Sequence, residues 1–415
     1  MHKSLCKRRP VITDPHFGPL GNYLEAFRYR LLQQGHAEQT VNYKMYVARH
    51  LNKWLHQRKL GAKDLRESTV RRFLGYYHKY HRPRLDRAFT LQGLLDWLRQ
   101  KNIVPKPVLR TDRSKLGRIL RDYAHYLKYE RGLSPATLKN YLPTISCFLS
   151  QKFRKGKIML RNLTPTDINK FVFSQTKIYS LRRVQLTTTA LRSFCRFLRF
   201  RGDIKSDLAA TVPAVANRRQ LELPKYLPTD DINKLVESCD RTRPGGIRDY
   251  AMLLLMARLG LRAGEMLNLT LDDINWQAGV ITIHGKTGHQ ELLPLPKDVG
   301  QALVRYLKKA RPKCATRRLF VRTKAPFRGL ARDGCVCSVV RYACRRVGIS
   351  PPHQGAHLLR HSLATRMLRE GASMTDIAEI LRHRSPATTE IYAKVDLKSL
   401  SELAKSWPGR SHERA

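Results

Sequence analysis

Acidic residues are scarce in this chain: 32 Asp plus Glu stand against 79 Lys plus Arg in 415 residues, a formal net charge of +47. A surface that positive repels itself unless a polyanion neutralises it, and the natural polyanion is nucleic acid, whose condensed counterions are released on contact. A basic membrane-surface protein would need an amphipathic basic helix or a lipidation signal, and neither is found. Long apolar runs are also lacking. The longest aliphatic stretch, Ala251 to Ala257, is much shorter than the about 18 residues of a membrane span. Basic residues open the N-terminus, but no apolar core follows them, so no secretory signal is read and a cytoplasmic, nucleoid-associated location is expected. Cysteines are few and unpaired: Cys6, Cys147, Cys195, Cys239, Cys314, Cys335, Cys337 and Cys344 include no Cys-x-x-Cys. That excludes a zinc ribbon and favours free thiols in a reducing compartment, the cluster at Cys335, Cys337 and Cys344 being the one place to check for metal.

What is present is enough apolar residue, 42% of the chain, to build cores, in a length that calls for two or three domains. Leu116, Ile119, Leu120, Tyr123 and Leu127 make one stripe of a helix that stops at Gly132. A second helix opens at Ser134-Pro135 and carries Leu138, Tyr141, Leu142 and Ile145. Nearer the N-terminus, Tyr23, Leu24, Phe27 and Leu31 form a similar stripe before Gly35, followed by Val41, Met45 and Leu51. Gly35 with Thr40 and Gly132 with Thr137 share one spacing, which reads as a weak internal repeat of a helical unit.

Lys101 to Arg113, with Pro105 and Pro107, reads as a linker, and so does the segment around Pro213, Asn217-Arg218-Arg219 and Pro224. Beyond it, Thr229 is a candidate cap for a helix through Ile232, Leu235 and Val236, and an apolar helix from Asp249 ends at Gly260. The period then changes: Val280 to His284 is a β-branched run, Gly285-Lys286-Thr287-Gly288 is turn chemistry, and Glu291 to Leu295 returns as a strand. Helices are expected from about Asp298 onward. The expected fold class is therefore mainly α, with a small β-sheet in the C-terminal domain. The expected domains are a helical module at 1–105, a second helical domain at 106–205, a linker at 206–221 and a mixed domain at 222–415.

Cleaving a phosphodiester with a side-chain nucleophile requires stabilised non-bridging oxygens, a deprotonated nucleophile and a protonated leaving group. Arg suits the first task, because its planar fork binds phosphate in bidentate fashion. Arg262 follows the Gly260 stop and precedes Glu265; His357 and Arg360 are i and i+3 on one helix; His383 precedes Tyr392, in a segment where Ser385-Pro386 should start a helix. Taken singly these signals are weak: Arg262 has the alternative of a solvated Arg at a helix end, the His357–Arg360 pair says little by itself, and Tyr392 has the alternative of a core aromatic. The pair Asp272-Asp273 has no carboxylate partner motif that would make a metal nuclease.

Taken in order, Arg262, Lys286, His357 with Arg360, His383 and Tyr392 resemble the pattern of the tyrosine recombinase, or phage integrase, family. The resemblance covers about residues 222 to 405, with weaker support at about 108 to 204. It implies a helical core-binding domain and a catalytic domain closing on double-stranded DNA. It also implies that Tyr392 attacks the scissile phosphate to give a 3′-phosphotyrosyl link, while Arg262 and Arg360 clamp the phosphate. His357 would assist proton transfer, His383 would hydrogen-bond the phosphate, and Lys286, at the hairpin tip, would protonate the leaving 5′ oxygen. No Mg²⁺, ATP or other cofactor is implied.

One departure stands out: Arg382 occupies the place where the family usually has Gly before the third-motif His. The stripe Leu397, Leu400, Leu403 and Trp407 would dock on a neighbouring protomer, which implies homo- or hetero-oligomers, a tetramer on paired sites and a possible partner recombinase. Arg182, Arg183, Arg192, Arg196 and Lys205 are the candidate DNA contacts of the second helical domain. The implied role is integration, excision or transposition of a mobile element. A type IB topoisomerase-like enzyme and a catalytically silent DNA-binding protein are the alternatives.

Overall fold

The computed structural model describes residues 17–106, 112–154, 157–215, 225–285, 289–351, 354–382, 389 and 391–392. The chain divides into two compact units, Met1–Lys106 together with Leu221–Ala415, and Pro107–Gln220.

In the first unit, α1 (Gly21–Gln33), α2 (Glu38–Gln57), α3 (Glu67–Tyr77) and α4 (Leu85–Gln100) surround a core of their own. The expected stripes supply it: Leu24, Phe27, Leu31, Val41, Met45 and Leu51 are all buried. Ile103 and Val104, inside the segment read as a linker, also pack on this core, so the chain is anchored beyond Lys101.

Pro107–Gln220 holds α5 (Lys115–His125), a π turn at Tyr126–Glu130, α6 (Pro135–Lys152), α7 (Pro165–Thr176) and α8 (Leu181–Phe200). Ser134 caps α6 by accepting the Thr137 amide at 3.4 Å, with Pro135 at the first helical position. Leu208, Ala209 and Val212 are buried on the same core as Tyr123, Phe148 and Phe194, so residues 206–212, read as linker, are packed against this unit.

The C-terminal part of the first unit is built around α10 (Pro244–Leu259), whose residues Ala251 to Ala257 are all buried. A helix apolar on every side needs neighbours on every side. It has them in α9 (Thr229–Glu237), α12 (Lys297–Lys309), α13 (Asp333–Arg346) and α14 (Ala356–Arg369). Two expected starts shift. α10 begins at Pro244 rather than Asp249, because Pro serves well at the first helical position, where its N–H is not needed. Thr229 is itself the first residue of α9, and Pro228 stands at the cap without a side-chain hydrogen bond.

α11 (Ala263–Asn268) leads into a three-stranded antiparallel sheet, β1 (Ile274–Asn275), β2 (Val280–His284) and β3 (Gln290–Pro294), in that order. β2 and β3 pair with Ile281 opposite Leu293 and His284 opposite Gln290, and the Gly285 amide donates to the His289 carbonyl at 2.8 Å. The turn expected at residues 286–288 lies outside the described residues. The short β1 carried no readable period. Helices do not run on continuously after Asp298, since an irregular stretch with bridges at Thr270–Arg318 and Val321–Gly329 separates α12 from α13. α15 (Met374–Ile380) closes the described helices, capped by Ser373 with Asp376. Among the described residues, no helix is long and apolar enough to cross a membrane.

The two glycines of the repeated spacing share a left-handed backbone, φ +81° at Gly35 and +60° at Gly132. Their surroundings differ. A Cβ on Gly35 would lie 2.2 Å from the Phe327 ring, whose residue also donates its amide to the Gln34 carbonyl at 3.0 Å. A Cβ on Gly132 would meet nothing within 4 Å. Gly132→Ala should therefore cost about 1 kcal/mol for the backbone alone, and Gly35→Ala about 2 kcal/mol or more. Urea denaturation of the two variants checks the order; equal losses would remove the Phe327 contact as a cause.

Candidate active site

The site begins where α10 ends. Gly260 takes φ +59°, which turns the chain sharply and leaves its carbonyl pointing into the fold. A Cβ there would lie 2.8 Å from Leu381 and 3.1 Å from Leu363, so the turn needs glycine for space as well as for backbone. Arg262 stands at the cap of α11, and Glu265, one turn on, grips it twice: Oε2 accepts the Arg262 amide at 2.9 Å and Oε1 accepts Nη1 at 2.6 Å. Arg262 thus has an acidic partner one turn along its own helix.

Arg360, on α14, is only 3% exposed. Its Nη1 donates to the Gly260 carbonyl at 2.7 Å and its Nη2 to the Leu381 carbonyl. Burial, then the like charges of Arg262 and Arg382, push its pKa down to about 9, which leaves it charged at neutral pH. A third arginine that the sequence reading did not place in the site completes the cluster. Arg382 reaches Glu265 Oε2 at 3.0 Å through Nη2, and its carbonyl accepts Arg262 Nη2 at 3.2 Å. Burial pushes the Glu265 carboxyl up, but Arg382, then the amide and guanidinium of Arg262, overcome it and hold the group below the usual carboxylate range.

Tyr392 is 1% exposed and packs with Leu363, Ala364, Ile377 and Leu381. Burial raises its hydroxyl to about 12, against the pull of Arg360 and then Arg262. Its amide donates to the Thr389 carbonyl at 2.9 Å. The helix expected from Ser385-Pro386 lies mostly outside the described residues, as do Lys286, His383 and the stripe from Leu397 to Trp407.

The hydroxyl of Tyr392 lies 2.7 Å from His361 Nδ1, the rings standing 5.6 Å apart. His361 was not singled out from the sequence. The signal was available: it sits next to Arg360 on a helix whose partner positions were already of interest, but a His beside an Arg has no spacing to distinguish it. His357 is exposed on the same helix while Arg360 is buried, so the two share an element without sharing an environment. The His357 ring faces that of His361 at 6.3 Å.

The remaining candidates are dispersed. Arg182, Arg196 and Lys205 are exposed and Arg183 is half-buried, its guanidinium 6.0 Å from the Tyr179 ring. Arg192 donates Nη2 to the Val212 and Pro213 carbonyls at 3.1 and 3.0 Å, which ties the chain after α8 to its own unit. Asp272 pairs with Arg317, and Asp273 holds His284 at 2.7 Å and the Thr270 amide at 2.7 Å, so both carboxylates are engaged within the fold. Among the described residues, no group of three His, Cys, Asp or Glu could hold a metal, and Cys335, Cys337 and Cys344 are free thiols.

Residues 225–398 match the phage integrase family and residues 120–202 match its N-terminal SAM-like domain. A protein of Sinorhizobium fredii that carries the provisional name integrase/recombinase y4rA is 41% identical over 402 residues, 97% of this chain and 98% of its own length. Tyrosine recombinase XerD of Listeria monocytogenes serotype 4b is 33% identical over 298 residues, 71% of this chain and 99% of its own. In fold, the chain resembles XerH site-specific recombinase in a post-cleavage complex with its palindromic difH substrate, with a TM-score of 0.57 at 19% identity, over 80% of this chain and 93% of that one. The chain belongs to the phage integrase family and is a tyrosine recombinase.

The depressed Glu265 carboxyl makes a signed prediction. A group lowered on folding contributes stability that is fully present above its unfolded pKa, about 4.3, and that is lost as pH falls through the folded value. Glu265→Gln should cost about 3 kcal/mol near neutral pH, where it leaves two guanidinium groups without their anion. The gap to the unsubstituted protein should narrow as the pH drops below about 4. Urea midpoints measured across that range test it, and a gap independent of pH would show that the carboxylate charge is not what holds the cluster.

Proposed function

We propose that this chain cuts and rejoins double-stranded DNA at specific sites through a covalent 3′-phosphotyrosyl link at Tyr392, and that it serves the integration, excision or transposition of a mobile element. The observation that carries this reading is the Tyr392 hydroxyl, buried under the influence of Arg360 and Arg262 with His361 Nδ1 at 2.7 Å. In water such a phenol would rarely ionise near neutral pH, so a base must take its proton as it attacks.

The reaction is an in-line displacement. Tyr392 Oη forms a bond to the scissile phosphorus as the bond to the 5′ oxygen breaks. The phenolic proton passes to His361, which already accepts from the hydroxyl in one tautomer, with His357 next to it to relay the proton onward. In this reading the accepting role falls to His361, with His357, the residue the family pattern names, beside it. Lys286 protonates the departing 5′ oxygen and His383 hydrogen-bonds the phosphate. Arg262 and Arg360 stabilise the charge that builds on the non-bridging oxygens. The tyrosyl ester conserves the bond energy, and attack by a 5′-hydroxyl reverses the sequence to rejoin a strand. The catalytic domain is residues 222–415, the SAM-like helical unit holds the core DNA through Arg182, Arg183, Arg196 and Lys205, and the segment after Val395 couples protomers on paired sites.

Residues 17–106 repeat the helix–glycine–helix plan of the SAM-like unit and serve as a further duplex-binding module. The exposed Tyr46 lies 4.2 Å from the half-buried His50, whose ring is joined through the buried Tyr77, at 5.6 Å, to the half-buried His81, 4.1 Å further on. An exposed ring beside imidazoles suits a nucleic-acid surface.

A nicked duplex carrying the ends of the chain's own element, incubated in EDTA, should give an SDS-resistant adduct. Tyr392→Phe should abolish the adduct while leaving DNA binding intact. His361→Ala should slow its formation by about 10²- to 10⁴-fold, the usual worth of a general base. Binding without any adduct on cognate DNA would favour a silent DNA-binding protein, and relaxation of unsited supercoiled DNA would favour the topoisomerase-like reading.

A further inference from the structure

Arg382 carries two burdens that a residue at a chain turn need not carry. Its φ is +56°, in the left-handed region that disfavours side chains, and its side chain is 4% exposed, which costs the solvation of a full charge. Backbone of this kind persists only where the surroundings over-determine it, and it concentrates at functional sites. The surroundings here are specific. Nη2 pairs with Glu265 Oε2 at 3.0 Å, Nη1 donates to the Ile380 carbonyl at 2.8 Å and to the Leu259 carbonyl at 3.4 Å, and the Arg382 carbonyl accepts from Arg262 Nη2 at 3.2 Å. Nε is buried without a hydrogen-bond partner and lies 3.7 Å from Glu291 Oε2 on β3. One side chain thus joins the end of α10, the Glu265 carboxylate on α11, the strand after the hairpin turn and the end of α15.

The three arginines are not equivalent. Arg360 and Arg382 are buried, whereas the Arg262 side chain is 36% exposed and is the one that faces outward. Its orientation is fixed from behind by the Glu265 carboxylate and by the Arg382 carbonyl.

We infer that Arg382 is a positioning residue for DNA cleavage, which anchors Glu265 and thereby aims the Arg262 guanidinium at the scissile phosphate. The inference rests on the reading above that Arg262 binds that phosphate. Its content is that Arg382 acts without touching DNA, and that the device is this chain's own arginine at a turn where a side chain is a liability. The charged groups facing Glu265 are Arg262 on its own helix, Arg382 after α15 and Arg360 on α14, with Glu291 on β3 facing Arg382. Among the single interactions that favour the carboxylate, the charge of Arg382 is the largest, ahead of the hydrogen bonds and charge of Arg262. Without it the buried carboxyl protonates at higher pH, and a neutral Glu265 no longer anchors Arg262 as an anion does.

The test compares the unsubstituted protein with Arg382→Gly and Arg382→Lys. Glycine suits the left-handed backbone, so this variant removes the side chain while relieving the turn. Single-turnover cleavage of the nicked duplex is followed from about pH 5 to about pH 9, alongside DNA affinity. Arg382→Gly should cleave about 10- to 100-fold more slowly with affinity little changed, and its acid limb should lie at higher pH than that of the unsubstituted protein. Arg382→Lys, which keeps the charge and loses the fork, should fall between. The acid limb of urea stability, read without DNA, should move in the same direction in Arg382→Gly. An Arg382→Gly protein with the unsubstituted rate and pH profile overturns the proposal, as does a slower one whose acid limbs do not move. Failure of the unsubstituted protein to form any adduct would instead sink the reading of the site itself, and this proposal with it.

Discussion

A single buried carboxylate organises the site. Glu265 lies beneath the break between α10 and α11 and accepts from the amide and guanidinium of Arg262 and from the guanidinium of Arg382. An unpaired carboxylate there would be forced to take up a proton, and unpaired guanidinium groups would be equally costly. Together they tolerate burial, and the arrangement still carries more positive than negative charge once Arg360 is included. That excess is what an incoming phosphate would balance; burial first, and then the like charges of Arg262 and Arg382, already depress Arg360.

The cluster depends in turn on α10. Its apolar surface on every side fixes it between α9, α12, α13 and α14, and its end at Gly260 is therefore fixed as well. From that end the Gly260 carbonyl holds Arg360, and the Leu259 carbonyl holds Arg382. The hydrophobic core and the charged site are consequently one construction. The helix is positioned by burial of Ala251 to Ala257, and its unsatisfied terminal carbonyls, which every helix must place somewhere, become acceptors for arginine. Tyr392 completes the arrangement from the far end of the chain by packing on Leu363 and Leu381, the same side chains that leave no room for a Cβ at Gly260.

Much of the fold was legible because its signals are local. The stripes before Gly35 and Gly132, the Ser134-Pro135 start, the Gly260 stop and the β2–β3 hairpin all follow from period and turn chemistry. Some bounds moved for local reasons: Pro244 starts α10 earlier than its apolar residues suggest, and Leu208, Ala209 and Val212, too short a run to show a sustained stripe, find a core to pack on. In the site, Arg262 with Glu265 was readable as a pair one turn apart. His361 and Arg382 were not, because their partners lie 31 and 117 positions away.

The sequence by itself determined the helices, the hairpin, the excess of positive charge and an ordered set of residues that resembles a family pattern. It could do so because helix period, capping and turn residues act over a few positions, and because charge is additive along a chain. Only the tertiary structure decided which histidine meets the Tyr392 hydroxyl, which arginine faces outward, and that Arg382 turns inward to a carboxylate instead of outward to solvent. Those outcomes depend on desolvation and on hydrogen-bond geometry between segments far apart in sequence, and neither quantity exists until the chain has closed around Glu265.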